Sequence, residues 1–169
     1  LFAMFAFFFH QRTNVALPPP HLLLVGAGGT GKTSAGLASL CYIASQDQAN
    51  APRPVVAALV SLPTVKPSVL DGAALDKAVL TSLGLRMSQM DGVLARSEIV
   101  VILDSLDECE LPADASIIDG ILDTTRFTKR CRVILSCRTE FLAARNISPP
   151  ERVVCRDHAT QCVTLHVHP

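Results

Sequence analysis

At 169 residues the chain has room for one domain with a sizeable core, and its 49% apolar and 18% charged residues exclude an intrinsically disordered protein. Fifteen basic residues balance fifteen acidic ones, which disfavours a nucleic-acid binder relying on bulk electrostatics, and no Trp with a single Tyr disfavours stacking platforms for single strands. No apolar run reaches the ~18–20 residues of a spanning helix, so neither a nucleic acid nor a membrane is expected as a partner.

The chain begins on Leu and is expected to be a fragment or a trimmed chain. Its first ten residues, LFAMFAFFFH, are apolar but lack the basic flank and the small-x-small cleavage site of a secretory signal. With the proline-ended stretch that follows, residues 1–20 read as a lead-in or the remnant of an upstream segment. His21–Val25 (HLLLV) predicts a buried strand and Gly26–Gly31 a glycine-rich turn. Lys32–Gln46 predicts a helix with small and apolar residues on most faces, hence a well-buried one. Pro52–Pro54 breaks the chain before a second strand, Val55–Leu62. Two short helices fill Ser68–Leu83 and Arg86–Arg96, and Ile99–Leu103 (IVVIL) is a third strand. Ser116–Thr124 predicts a helix, Arg132–Ser136 a fourth strand and Gln161–His168 a fifth. Continuous apolar strands alternating with helices predict an α/β domain with a mostly parallel sheet covered on both faces and right-handed crossovers.

Six cysteines without a C-x-x-C pair, scattered through apolar segments, predict reduced, buried thiols and a cytoplasmic protein. Cys155, His158, Cys162, His166 and His168 fall at C-x2-H-x3-C-x3-H, a spacing that can hold zinc. From Cys162 to His168, however, polar and apolar residues alternate with period two, which predicts a strand with one polar face instead.

Gly26-Ala27-Gly28-Gly29-Thr30-Gly31-Lys32-Thr33 matches G-x-x-x-x-G-K-[ST] in full, between a strand and a helix. Glycines let backbone N–H groups turn toward a phosphate, and the helix N-terminus adds partial positive charge. Lys32 would reach the β- and γ-phosphates, and the Thr33 hydroxyl would ligate Mg²⁺. The same stretch reads G-x-G-x-x-G, the dinucleotide fingerprint, which asks for an acid near the end of the second strand. That strand ends Leu59-Val60-Ser61-Leu62, and Lys32-Thr33 would have no role, so the phosphate loop is the favoured reading.

The third strand runs into Asp104, a carboxylate placed to hold Mg²⁺ through its water shell. Asp107 and Glu108 follow, and either can orient or deprotonate an attacking water. The sequence leaves open which. The fourth strand ends Ser136-Cys137-Arg138; if it lies between the first and third, Ser136 and Arg138 face the γ-phosphate. The plain alternatives are a strand-end cap, a solvated acidic loop and a surface arginine. Two motifs in the correct order weigh against them.

With these residues in place, the chain resembles the NACHT family of STAND-type P-loop NTPases. GAGGTGKT is similar to its Walker A, ILDSLDE to its Walker B and RVILSCRTEFL to its sensor strand, a likeness spanning about residues 20–168. The resemblance implies a three-layer P-loop NTPase in residues 21–169, truncated after the fifth strand. Its mostly parallel five-stranded sheet would carry the sensor strand between the P-loop and Walker B strands. It implies ATP or ADP with Mg²⁺, slow hydrolysis as a signalling switch, and self-association through this domain in the full-length protein. In that reading Gly26–Thr33, Asp104 and Ser136 hold nucleotide, Thr33 and Asp104 hold the metal, and Asp107, Glu108 and Arg138 carry catalysis. Two other classes remain: a non-catalytic module stabilised by nucleotide, and another P-loop NTPase or kinase. No Asn-Lys-x-Asp element is present to read guanine, and no Arg-rich lid is evident for a kinase.

Overall fold

Among the described residues, the apolar runs HLLLV, VVAALVS, IVVIL and RVILS each become a strand of one sheet. The computed structural model describes residues 21–45, 53–65, 72–109, 118, 121, 131–148, 152–155 and 158–167. Strand β1 spans His21–Gly26, β2 Val55–Ser61, β3 Glu98–Asp104, β4 Arg132–Arg138, β5 Arg152–Cys155 and β6 His158–His166. The order across the sheet is β2-β3-β4-β1-β6-β5. Neighbours from β2 to β6 are parallel, which gives the expected five parallel strands with β4 between β3 and β1. Strand β5 is a sixth, antiparallel to β6 and not foreseen; the pairing Cys155↔His158 leaves two residues between them, a spacing suited to antiparallel neighbours.

Every residue of β1 is buried, and so are all but one of β3 and of β4, which explains why these runs lack a polar alternation. Helix α1 spans Lys32–Ser45, α2 Gly72–Ser82, α3 Met90–Arg96 and α4 Thr139–Ala144. On one face Leu22, Leu24, Val100, Ile102 and Ile134 pack with Ala35 and Ile43 of α1. On the other face Leu23, Val25, Val101, Leu103 and Leu135 pack with Leu75 and Val79 of α2, Leu94 of α3 and Phe141 of α4. Successive strand residues thus serve opposite layers, helix–sheet–helix, as period-two geometry requires.

Several expectations shift. Helix α1 is half exposed rather than well buried: only Ala35, Gly36, Ser39 and Ile43 are buried, while Leu37 is 48% exposed. As an outer layer it has one face to pack. The segment expected as a helix from Arg86 divides into a one-turn 3₁₀ segment, Met87–Gln89, and α3. Of residues 116–124, Ile118 and Ile121 are helical and buried, and the rest lie outside the described residues, as do residues 1–20, Gln46, residues 66–71 and His168. Strand β6 begins three residues earlier than expected. Its alternation is real: Val163, Leu165 and Val167 pack into the α1 layer, whereas Cys162 packs into the opposite one and His166 is exposed. Among the described residues no helix is long and apolar enough to cross a membrane.

Candidate functional site

Parallel strands in register bring their carboxyl ends to one edge of the sheet. Gly26 pairs with Arg138 across β1–β4, Leu103 with Leu135 across β3–β4, and Ser61 with Asp104 across β2–β3. The loop from β1 into α1, the end of β3 and the end of β4 therefore converge outside the carboxyl ends, where open α/β sheets bind ligands. A cleft of about 280 Å³ lies there, lined by Gly28–Gly29, Gly31–Ser34, Asp104–Ser105, Asp107–Glu108, Ser136 and Arg138.

The loop depends on its glycines at two points. A Cβ on Gly26 would lie 2.6 Å from the Val167 carbonyl oxygen and 2.8 Å from Thr30 Oγ1, so no larger residue fits at the end of β1. Gly31 turns the chain into α1 at φ 87°, in the left-handed region, and no heavy atom stands within 4 Å of where its Cβ would be. Thr30 Oγ1 donates to the Ala27 carbonyl at 2.9 Å and closes the turn from within.

Lys32 and Thr33 start α1. The Lys32 ammonium donates to the carbonyls of Gly26 (2.7 Å) and Ala27 (2.8 Å), which places its charge inside the loop. Thr33 Oγ1 donates to Asp104 Oδ2 at 2.8 Å. The Ser136 hydroxyl donates to the other oxygen, Asp104 Oδ1, and accepts the Ser105 N–H at 3.0 Å. Asp104 is buried, so its carboxylate is presented on the two hydroxyls rather than to bulk water.

Asp107 and Glu108 lie on a 3₁₀ turn, Leu106–Glu108, directly after β3. Asp107 Oδ1 accepts the Arg138 backbone N–H at 3.0 Å, and Oδ2 pairs with Arg138 Nε at 2.8 Å. Glu108 Oε1 is 3.5 Å from the same guanidinium. Arg138 also lies over the loop: a Cβ on Gly28 would sit 3.7 Å from one terminal nitrogen of the guanidinium. Burial, then Asp107, push the Cys137 thiol up to about 12 against an opposing pull from Lys32. Burial, then Asp107 and Glu108, push the Cys109 thiol up to about 11. Neither thiol offers a thiolate near neutral pH, so the chemistry here belongs to oxygen and nitrogen groups.

The structure thus gathers Gly28, Gly29, Gly31, Lys32, Thr33, Asp104, Asp107, Glu108, Ser136 and Arg138 around one cleft. Ser105 was missed by the sequence reading. It adopts φ 63°, ψ 50°, and its only signal was that a small residue follows Asp104. A hydroxyl and a carboxylate 2.8 Å apart are hard oxygen donors that suit Mg²⁺. A cleft of this size, at the small end of ligand pockets, suits a phosphate chain with its cation. Topology also removes the dinucleotide alternative. That site places the first strand beside the second; here β3 and β4 separate β1 from β2.

No family model matches the chain, and no curated protein matches it. Solved structures do. A chain of Drosophila ORC bound to GC-rich DNA and Cdc6 is similar at 15% identity and TM-score 0.59, over 99% of this chain and 28% of that one. The Aeropyrum pernix ORC1 protein in complex with DNA is similar at 16% identity and TM-score 0.54, over 89% and 40%. Drosophila ORC bound to DNA is similar at 14% identity and TM-score 0.52, over 87% and 36%. This chain therefore spans well under half of each.

These likenesses correct the expectation that a nucleic acid is excluded as a partner, because the similar proteins are themselves bound to DNA. The physical reason is that zero net charge is a sum over the whole chain. It carries no information about a local basic surface or about parts of a longer protein. At these identities the likeness shows the fold, and the fold is that of a P-loop NTPase.

Proposed function

We propose that this domain binds ATP or ADP with Mg²⁺ and hydrolyses ATP slowly. The observation that carries the reading is the 2.8 Å hydrogen bond from Thr33 Oγ1 to Asp104 Oδ2, which joins two motifs 71 residues apart at one point. When bound, Mg²⁺ supplies charge to neutralise the phosphate oxygens. The chain's own residues do the rest. Backbone N–H groups of residues 26–33 and the N-terminus of α1 face the phosphates, and Lys32 exchanges its two carbonyl acceptors for phosphate oxygens. Thr33 and Asp104 hold the cation, Ser136 orients Asp104, and Arg138 meets the terminal phosphate. An acid of the pair Asp107 and Glu108 takes a proton from the attacking water.

The finer reading is a nucleotide-driven switch of the NACHT-type STAND class, cytoplasmic, preferring adenine and self-associating through this domain in the full-length protein. The three sequence segments similar to that family support it, as does the absence of Asn-Lys-x-Asp. Titration calorimetry with Mg-ATP and Mg-ADP tests the site: Lys32→Ala is expected to weaken binding by at least ~10–100-fold, the worth of a charge-assisted contact. Parent-like binding by a well-folded Lys32→Ala variant would remove the assignment. Competition between ATP and GTP tests the base preference, and tighter GTP binding would reverse it.

The DNA-bound state of the similar structures favours a second reading, in which nucleotide binding here serves a DNA-associated assembly. Anisotropy with labelled duplex DNA, with and without Mg-ATP, separates the two. Nucleotide-dependent DNA binding supports the second reading and its absence the first.

A further inference from the structure

We infer that Asp107 is the positioning residue for Arg138, and that Glu108 is the carboxylate left to act on water. This rests on the nucleotide reading above. It divides between the two acids a role that their adjacency in sequence leaves shared.

The side chain of Asp107 is only 8% exposed, and both of its oxygens are committed to one residue on the neighbouring strand. Oδ1 accepts the Arg138 N–H at 3.0 Å, and Oδ2 meets Nε at 2.8 Å. One carboxylate therefore fixes both the backbone and the side-chain direction of Arg138. With Nε held, rotation of the guanidinium is restricted; one terminal nitrogen faces Glu108 at 3.5 Å and the other lies toward the phosphate loop. The latter is 3.7 Å, and Cζ 3.8 Å, from the position of a Cβ on Gly28. A planar guanidinium gripped at Nε keeps the N–H groups of its loop-facing nitrogen for a phosphate, a geometry that Lys cannot reproduce.

Glu108 is placed differently. Its side chain is 52% exposed and meets the Arg138 guanidinium at 3.5 Å, the far limit of a hydrogen bond. It borders the same cleft. It is the acid of the pair that water can reach without first breaking the Asp107–Arg138 clamp.

The experiment uses the full chain, with ADP and the non-hydrolysable triphosphate analogue AMP-PNP as probes, both with Mg²⁺. The readout is the ratio of their affinities, alongside single-turnover hydrolysis of ATP. Asp107→Asn and Arg138→Ala are each expected to lower the preference for triphosphate by a similar factor, about tenfold, with ADP affinity within about twofold of the parent. The double variant is expected to lose no more than either single one, since both remove the same clamp. Glu108→Gln is expected to keep the preference and lose turnover by ~10²-fold. Because Asp107 is nearly buried, Arg138→Lys provides a second arm: it keeps the charge but has no Nε to grip, and is expected to lose the preference as Arg138→Ala does. Retained preference in Asp107→Asn or in Arg138→Lys would overturn the inference, as would losses that add in the double variant. A parent that holds the two nucleotides equally would do the same. Failure of the site reading looks different, because it removes ADP binding itself, and with it both claims.

Discussion

Ser105 leaves β3 in the left-handed region at φ 63°, where a non-glycine residue is strained, and this turn aims its N–H at Ser136 Oγ. Its small side chain limits the strain. Ser105→Val is expected to cost about 1–3 kcal/mol in urea unfolding, since a β-branched residue tolerates that region worst, while Ser105→Gly is expected to cost much less. A second residue-scale prediction concerns Cys137. Burial and Asp107 raise its thiol from 9.0 to about 12 in the folded chain. The folded state then holds a proton that the unfolded state releases above about pH 9, so stability is full below that pH and falls as pH rises toward 12. The slope reaches at most ~1.4 kcal/mol per pH unit for this one group. Melting temperatures between pH 8 and 11 are expected to fall less steeply in Cys137→Ala than in the parent.

At the scale of elements, α1 joins the sheet to the glycine-rich loop, and two adjacent positions on it have opposite consequences. A Cβ at Gly36 would stand 3.3 Å from Ile102 Cγ2, against the middle of β3. Gly36→Leu overfills this contact and is expected to cost about 1–3 kcal/mol. It also tilts the helix whose first turn carries Lys32 and Thr33, so nucleotide affinity is expected to fall with stability. Leu37, one residue on, is 48% exposed, and Leu37→Lys is expected to change stability by no more than ~0.5 kcal/mol. Denaturant unfolding and nucleotide titration of the two variants check this contrast. The start of β2 is tied down in a comparable way, by Arg53, whose guanidinium donates to the carbonyls of Leu94 and Ser97 at the end of α3.

Across the whole molecule, the site exists only in the folded state, because Thr33, Asp104 and Ser136 meet through three strands. The proposed Mg-ATP binding is therefore linked to folding. At a concentration of ~100 times Kd it is expected to stabilise the chain by about 2.7 kcal/mol, a rise of about 5–10 °C in Tm for a domain of this size. Scanning calorimetry with and without Mg-ATP measures it, and Lys32→Ala, with its site weakened at least ~10–100-fold, is expected to gain no more than about 0.4–1.4 kcal/mol at the same concentration.

The glycine-rich turn between β1 and α1 could be read in advance because its signal is local: it sits within eight consecutive residues, and the flanking runs HLLLV and KTSAGLASL announce a strand and a helix. The buried strands β1, β3 and β4 were equally plain, since a strand covered on both faces must be apolar throughout. The short β5 and the six-residue α4 escaped, being too brief for periodicity to register. Burial says that a strand has neighbours without saying which, so the order β2-β3-β4-β1-β6-β5 needed the packed sheet. The acidic pair shows the same limit at atomic scale. Asp107 and Glu108 are adjacent in the chain, and only the meeting with Arg138, about 30 residues away, distinguishes their surroundings. Contacts at that separation arise when the chain folds back upon itself, and local composition does not encode them.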